Sequence, residues 1–184
     1  MSAIKNYRIE FVERTRDLLN NNFSDFKDKD REVTFLLNCL LGLIVNVSEN
    51  EKKTNLTFKG KINDDFLLNL PEKIGFIIKS SDKHNLTDSN LTKIDTKVGH
   101  KDDLKECTKL WFVNKLRNGI AHQNIEGIND NDVWTGLKLW NTTNELIDFE
   151  VIFTIEELKK LTLKIADDYL ESSKQAMQQK KNRH

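Results

Sequence analysis

Proline is almost missing from this chain: Pro71 is the only one in 184 residues, and glycine occurs seven times. Both residues break helices, so their scarcity leaves room for long ones. Cysteine is rare as well. Cys39 and Cys107 exclude a disulfide-framed fold, and both lie in apolar helical runs, where they read as buried, reduced thiols. No set of His, Cys, Asp and Glu has metal-ligand spacing, and His84, His100 and His184 are scattered. No metal and no cofactor is therefore expected. The chain has no glycine-rich phosphate loop and no nucleophile elbow around Ser48 or Ser89. An excess of one charge is absent too, since 29 Lys and Arg balance 29 Asp and Glu. That weighs against a non-specific nucleic-acid binder and leaves room for an enzyme with a local basic site. Near the N-terminus, Lys5, Arg8 and Glu10 interrupt any apolar signal core. The longest apolar run, Val33–Val47, is shorter than the ~20 residues of a membrane span and contains Thr34, Asn38 and Asn46. The expected setting is cytoplasmic, with no membrane contact.

What remains is an ordinary globular composition, 38% hydrophobic and 32% charged, on a length that suits one domain over 1–184. Apolar steps of three and four predict a helix over 4–23, from Ile4, Tyr7, Phe11 and Leu18. A charged connector ends at Asp30. A second helix over 31–48 is apolar nearly all round, as in the centre of a bundle. Its one polar stripe, Thr34, Asn38, Gly42 and Asn46, reads as a close-packing seam or as part of a pocket beside the central helix. Then come a polar connector at 48–54, a short strand or turn at 56–60, a helical turn at 64–70 and a short helix at 72–79. Residues 80–100 form a long polar loop. The central helix runs over 102–122, followed by a turn-rich 123–130 and two strands, 134–141 and 149–154. Thr154 and Glu157 make a capping box for a last helix over 155–178, and 179–184 is a basic tail. The fold class is mainly α: a helical bundle with a small C-terminal β-hairpin.

The densest chemistry lies in Leu116-Arg117-Asn118-Gly119-Ile120-Ala121-His122. Asn118 and His122 stack on one helical face, and Arg117 lies roughly 140° from His122, at that face's edge. Gly119 in a helix interior costs about 1 kcal/mol relative to Ala, so it needs a reason, such as the approach of a second backbone. The same residues also have an ordinary reading. A terminal His caps carbonyls, and a surface Arg is simply solvated. Trp111 reads as core, and Trp134 and Trp140 as core or dimer packing.

Arg117-Asn118-Gly119-Ile120-Ala121-His122 resembles the Arg-polar-x-x-x-His signature of the HEPN superfamily. The helix from Glu32 to Leu43 looks like the second helix of its pEK499 p136-like subfamily, and Asn124–Leu158 looks like that subfamily's strand-strand-helix ending. The resemblance implies a small helical bundle that acts as a metal-independent endoribonuclease and a homodimer, in antiphage defence or as a growth-arresting toxin. Its alternative is an inactive HEPN module for RNA binding or protein association. On the ribonuclease reading, His122 is general base or acid. Arg117 grips phosphate and stabilises the transition state, and Asn118 orients one or the other. One His faces two proton transfers, which a second copy of the motif resolves. Lys115 and Gln123 flank the motif as RNA contacts, Gly119 and Ala121 mark the dimer interface, and Thr34 and Asn38 mark the pocket. Some HEPN toxins carry a Tyr two residues after the motif His, which a partner enzyme modifies. Here that position is Asn124, so regulation by that route is not implied, and an antitoxin or activator is expected only as a partner of unidentified kind.

Overall fold

Alternation of buried and open positions sets the first two long helices. In α1 (Tyr7–Asn21), Val12, Thr15 and Leu19 turn inward. After a short α2 (Phe23–Lys27) comes α3 (Glu32–Thr54), which buries Leu36, Leu40, Leu43, Ile44 and Val47. The computed structural model describes residues 7–27, 31–54, 58, 60–76, 103–131, 133–143 and 145–181. The expected strand or turn at 56–60 falls mostly outside them, as do the 80–100 loop and the tail from 182.

α3 differs from its expectation in two ways. It continues to Thr54 through the supposed connector, because Glu49, Glu51, Lys52 and Lys53 are good helix formers. It is also not buried all round: Thr34, Asn38, Val45 and Glu49 are exposed. The window Glu32–Glu49 is long and apolar enough to cross a membrane, yet half of it is buried within the fold, as in the core helix of a bundle. The seam reading holds at Gly42, where an added Cβ would lie 3.0 Å from the Phe11 ring.

α4 (Asp64–Leu67) is capped by Asn63, whose Oδ1 accepts from the Phe66 N–H at 3.0 Å. The expected helix at 72–79 is instead a strand, β1 (Lys73–Phe76). Ile74, Gly75 and Phe76 are weak helix formers, and Ile74 pairs with Val151 across the sheet. The central helix is also shorter than expected. A 3-10 turn at Leu104–Glu106 leads into extended Cys107 and Thr108, and α5 spans only Lys109–Ala121. Backbone pairing of Gly60–Ile62 with 107–109 holds this break open, with Ile62 donating to Cys107 O and Lys109 donating to Gly60 O, each at 3.0 Å. The freed helix start is capped by Thr108 Oγ1, which accepts from Trp111 N–H at 3.1 Å.

The predicted hairpin is the centre of something larger. β2 (Ile125–Asp130), β3 (Val133–Thr143) and β4 (Leu146–Thr154) join β1 in a four-stranded antiparallel sheet of order β1-β4-β3-β2. The supposedly turn-rich 123–130 is therefore mostly strand; the Trp134 ring covers Gly127, 3.3 Å from where its Cβ would be. Leu137, Leu139, Phe149, Val151 and Phe153 form the buried face of the sheet, and α5 lies on β3. Phe112 of α5 meets Phe149 edge-on at 5.6 Å, and Trp111 packs edge-on to Phe149 at 6.0 Å, as core. Trp134 is exposed. The last helix, α6 (Ile155–Lys181), opens on the expected capping box, with Thr154 N–H donating to Glu157 Oε2 at 2.8 Å and Glu157 N–H to Thr154 Oγ1 at 3.2 Å. Leu158, Leu161, Ile165 and Tyr169 face inward, where α6 packs on α1 and α3. The chain is mainly α with a small sheet. Both cysteines are free and buried, and burial pushes the Cys39 thiol up to about 11.

Candidate functional site

Three anchors fix α5. At its start, Lys109 pairs with Asp168 of α6, which also accepts from Lys164 at 2.7 Å. Burial pulls the Lys164 ammonium down, but hydrogen bonds and charge from Asp168 and Asp65 outweigh it and hold it above the usual lysine range. Midway, Lys115 pairs with Asp148. Asp148 also accepts from Asn141 Nδ2 at 2.5 Å and from Thr143 Oγ1 at 2.7 Å. Lys115, expected as an RNA contact, has a side chain only 16% exposed and paired with a buried carboxylate.

The third anchor is Gly119. A Cβ there would lie 2.6 Å from both Trp140 O and Leu139 Cδ2. The close backbone approach read from this glycine does occur, but against β3 of the same chain. Gly119 is buried and cannot line a dimer interface. Ala121, by contrast, is exposed. Gly119→Ala tests the packing. Alanine gains about 1 kcal/mol of helix propensity, while overpacking against a fixed carbonyl costs about 2–3 kcal/mol. The variant should melt roughly 2–8 °C below the wild type; an unchanged or higher midpoint would mean that β3 yields.

The motif occupies the end of α5. The Arg117 side chain folds over its neighbour: Nε and Nη2 donate to Asn118 Oδ1 at 3.3 and 3.0 Å. Nη1 lies 3.8 Å from Glu49 Oε1 on α3, an ion pair in which the arginine side chain is 30% exposed. His122 closes the helix, its N–H donating to Asn118 O at 2.9 Å. Gln123 then takes a left-handed φ of 57°, and Asn124 N–H donates to Gly119 O at 2.9 Å. With Gln123 N–H donating to Ile120 O at 3.1 Å, this is a Schellman stop whose left-handed residue is a glutamine and not the usual glycine. Asn124 O in turn accepts from Trp140 N–H at 3.2 Å, so the chain leaves the motif directly into the sheet. His122 and Gln123 are both exposed.

Thr34 and Asn38 do not join this group. They lie on the open side of α3. Asn38 lines a groove of about 520 Å³ between α1 and α3, walled by Tyr7, Phe11, Leu41 and Val45. Glu49 lines it as well, eleven residues along the helix and thus roughly 16 Å away. Among the described residues that line the groove, Glu49 also meets the motif, at Arg117. Its one sequence signal was the polar stripe itself: three residues beyond Asn46, on a helix carried further, is Glu49.

The arrangement joins a permanent cation, an amide and an exposed imidazole within two turns of an anchored helix. Among the described residues, no group of three or more acidic, His or Cys side chains is placed to hold a metal. Neither the curated proteins nor the solved structures offer a match. The family model described as HEPN pEK499 p136 matches residues 1–176. That match spans the bundle, the sheet and the Arg117–His122 motif, and places the chain among nuclease-like or RNA-related modules. The chain belongs to the HEPN pEK499 p136 family.

Proposed function

We propose that the protein is an endoribonuclease that needs no metal. The attacking nucleophile is the ribose 2′-hydroxyl, and the products are a 2′,3′-cyclic phosphate and a 5′-hydroxyl end. The observation that carries this reading is the state of the motif. His122 is exposed at the end of a rigidly held helix, with a partly exposed Arg117 guanidinium one turn back. Such an imidazole can take or deliver a proton, and the guanidinium stabilises charge building on phosphorus. Two proton transfers need two such groups, so the active unit is a homodimer in which a second copy approaches at the exposed end of α5, beside Ala121. Gln123, also exposed there, is a further RNA contact in this reading. The role that follows is bacterial defence against phage or plasmids, or growth arrest as a toxin, with an antitoxin or activator as a further partner.

A second reading has an observation of its own: Arg117 is already engaged by Asn118 and Glu49, as in a module that binds without cutting. Cleavage of total and transfer RNA in EDTA separates the two. The nuclease reading expects cutting by the wild type, cyclic-phosphate ends, and no cutting by Arg117→Ala or His122→Ala. Equal cutting by all three proteins would assign the activity to a contaminant. RNA retention by wild type and both variants without any cutting would favour the binding module.

A further inference from the structure

The Glu49–Arg117 pair joins two helices that no sequence pattern links, and it involves the one cation on which the proposed chemistry depends. A guanidinium presents a planar fork of donors that suits a carboxylate and a phosphate alike. In the resting protein, that fork gives Nε and Nη2 to Asn118 and turns Nη1 toward Glu49 at 3.8 Å. The carboxylate thus stands where an anionic phosphate oxygen would stand. Its hold is loose, because the separation exceeds a hydrogen bond and the Glu49 side chain is 48% exposed. The groove between α1 and α3, which Glu49 also lines, gives the side chain room on its far side.

We propose that Glu49 is a built-in competitor for Arg117: its carboxylate occupies the guanidinium at rest and is displaced by the phosphate of a bound RNA. This rests on the reading of Arg117 as a phosphate ligand given above. Each binding event must therefore break the resting pair. An isolated phosphate gains little from the exchange, whereas a polynucleotide making several contacts at once can offset it. Glu49 therefore sets a threshold that favours a chain of RNA over mononucleotides.

The test is binding, not cleavage. A labelled single-stranded RNA, 2′-O-methylated throughout so that it has no attacking hydroxyl, is titrated with wild type, Glu49→Gln, Arg117→Ala and the double variant, and followed by fluorescence anisotropy. Glu49→Gln keeps the size and helix preference of an exposed side chain, so its fold is preserved. It should bind about two- to fivefold more tightly at low salt, the range expected for an exposed ion pair, and the advantage should fade as salt rises. In the Arg117→Ala background the same substitution should change nothing. Equal or weaker binding by Glu49→Gln overturns the proposal. So does a gain that persists without Arg117, which would be a general charge effect, and so does the absence of binding by every variant. Because this RNA cannot be cut, a protein that follows the expected pattern yet cleaves no natural RNA refutes the nuclease reading and leaves the competitor intact.

Discussion

Asp148→Ala should lower stability by about 3–5 kcal/mol and bring the melting midpoint down by roughly 6–20 °C. Asp148 is 7% exposed and receives Lys115, Asn141 and Thr143 together. Its loss strands an ammonium and an amide, with Asn141 only 3% exposed. Removing one member of a buried pair is far more damaging than removing an exposed one, because the charge left behind cannot recover its water. Arg14 supplies the contrast. It pairs with Glu10 at 3.6 Å with 57% of its side chain exposed, and Arg14→Ala should stay within about 0.5 kcal/mol of the wild type. Replacing both ends of the buried pair, as Asp148→Leu with Lys115→Met, should recover much of the loss. Thermal unfolding followed by circular dichroism reads all three variants against the wild type. A loss below about 1 kcal/mol for Asp148→Ala would mean that Lys115 can swing into water, and it would return that lysine to the residues able to meet RNA.

His122→Ala should reduce cleavage by about 10²–10⁴-fold, the range for one positioned acid or base, while leaving the fold alone. The histidine ends α5 through its backbone N–H, which alanine retains, and its side chain lies in an exposed residue. Arg117→Ala should be comparably severe. Arg117→Lys should recover little, since an ammonium keeps the charge and loses the fork. Rates on one RNA substrate at saturating concentration, with melting curves beside them, separate chemistry from stability. A His122→Ala protein within about tenfold of wild type would remove the imidazole from the proton transfers. One that melts several degrees lower would make it a structural residue instead.

Local signals carried the reading of the sequence furthest. The capping box at Thr154 and Glu157 is complete within four residues and occurs as expected. The inward stripe of α6 and the end of α5 at His122 were legible for the same reason. What stayed hidden depends on partners distant in the chain. The break before Thr108 is held by Gly60–Ile62. β1 exists because β4 pairs with it, and β2 because β3 does. At the motif, the residue types and their order were plain, but their neighbours were not. The strand against Gly119, the carboxylate that pairs with Lys115 and the one that meets Arg117 come from 20 to 68 residues away. A helical period shows which way a side chain points and says nothing about what it meets.

The three anchors of α5 have a consequence for how the protein is made. Leu139 and Trp140, Asp148 and Asp168 all follow the motif in the chain. At synthesis rates of about 5–20 residues per second, Asp168 is added roughly 2–9 s after Ala121, the last residue of α5. α1 and α3, made first, wait equally for α6. Throughout that interval Arg117, Asn118 and His122 lie on a helix that α3 and Gly60–Ile62 already flank but that still lacks its hold at Lys109. Two of the three anchors, the β3 backbone at Gly119 and Asp148 at Lys115, are thus made before α6, which supplies the last of them at Asp168.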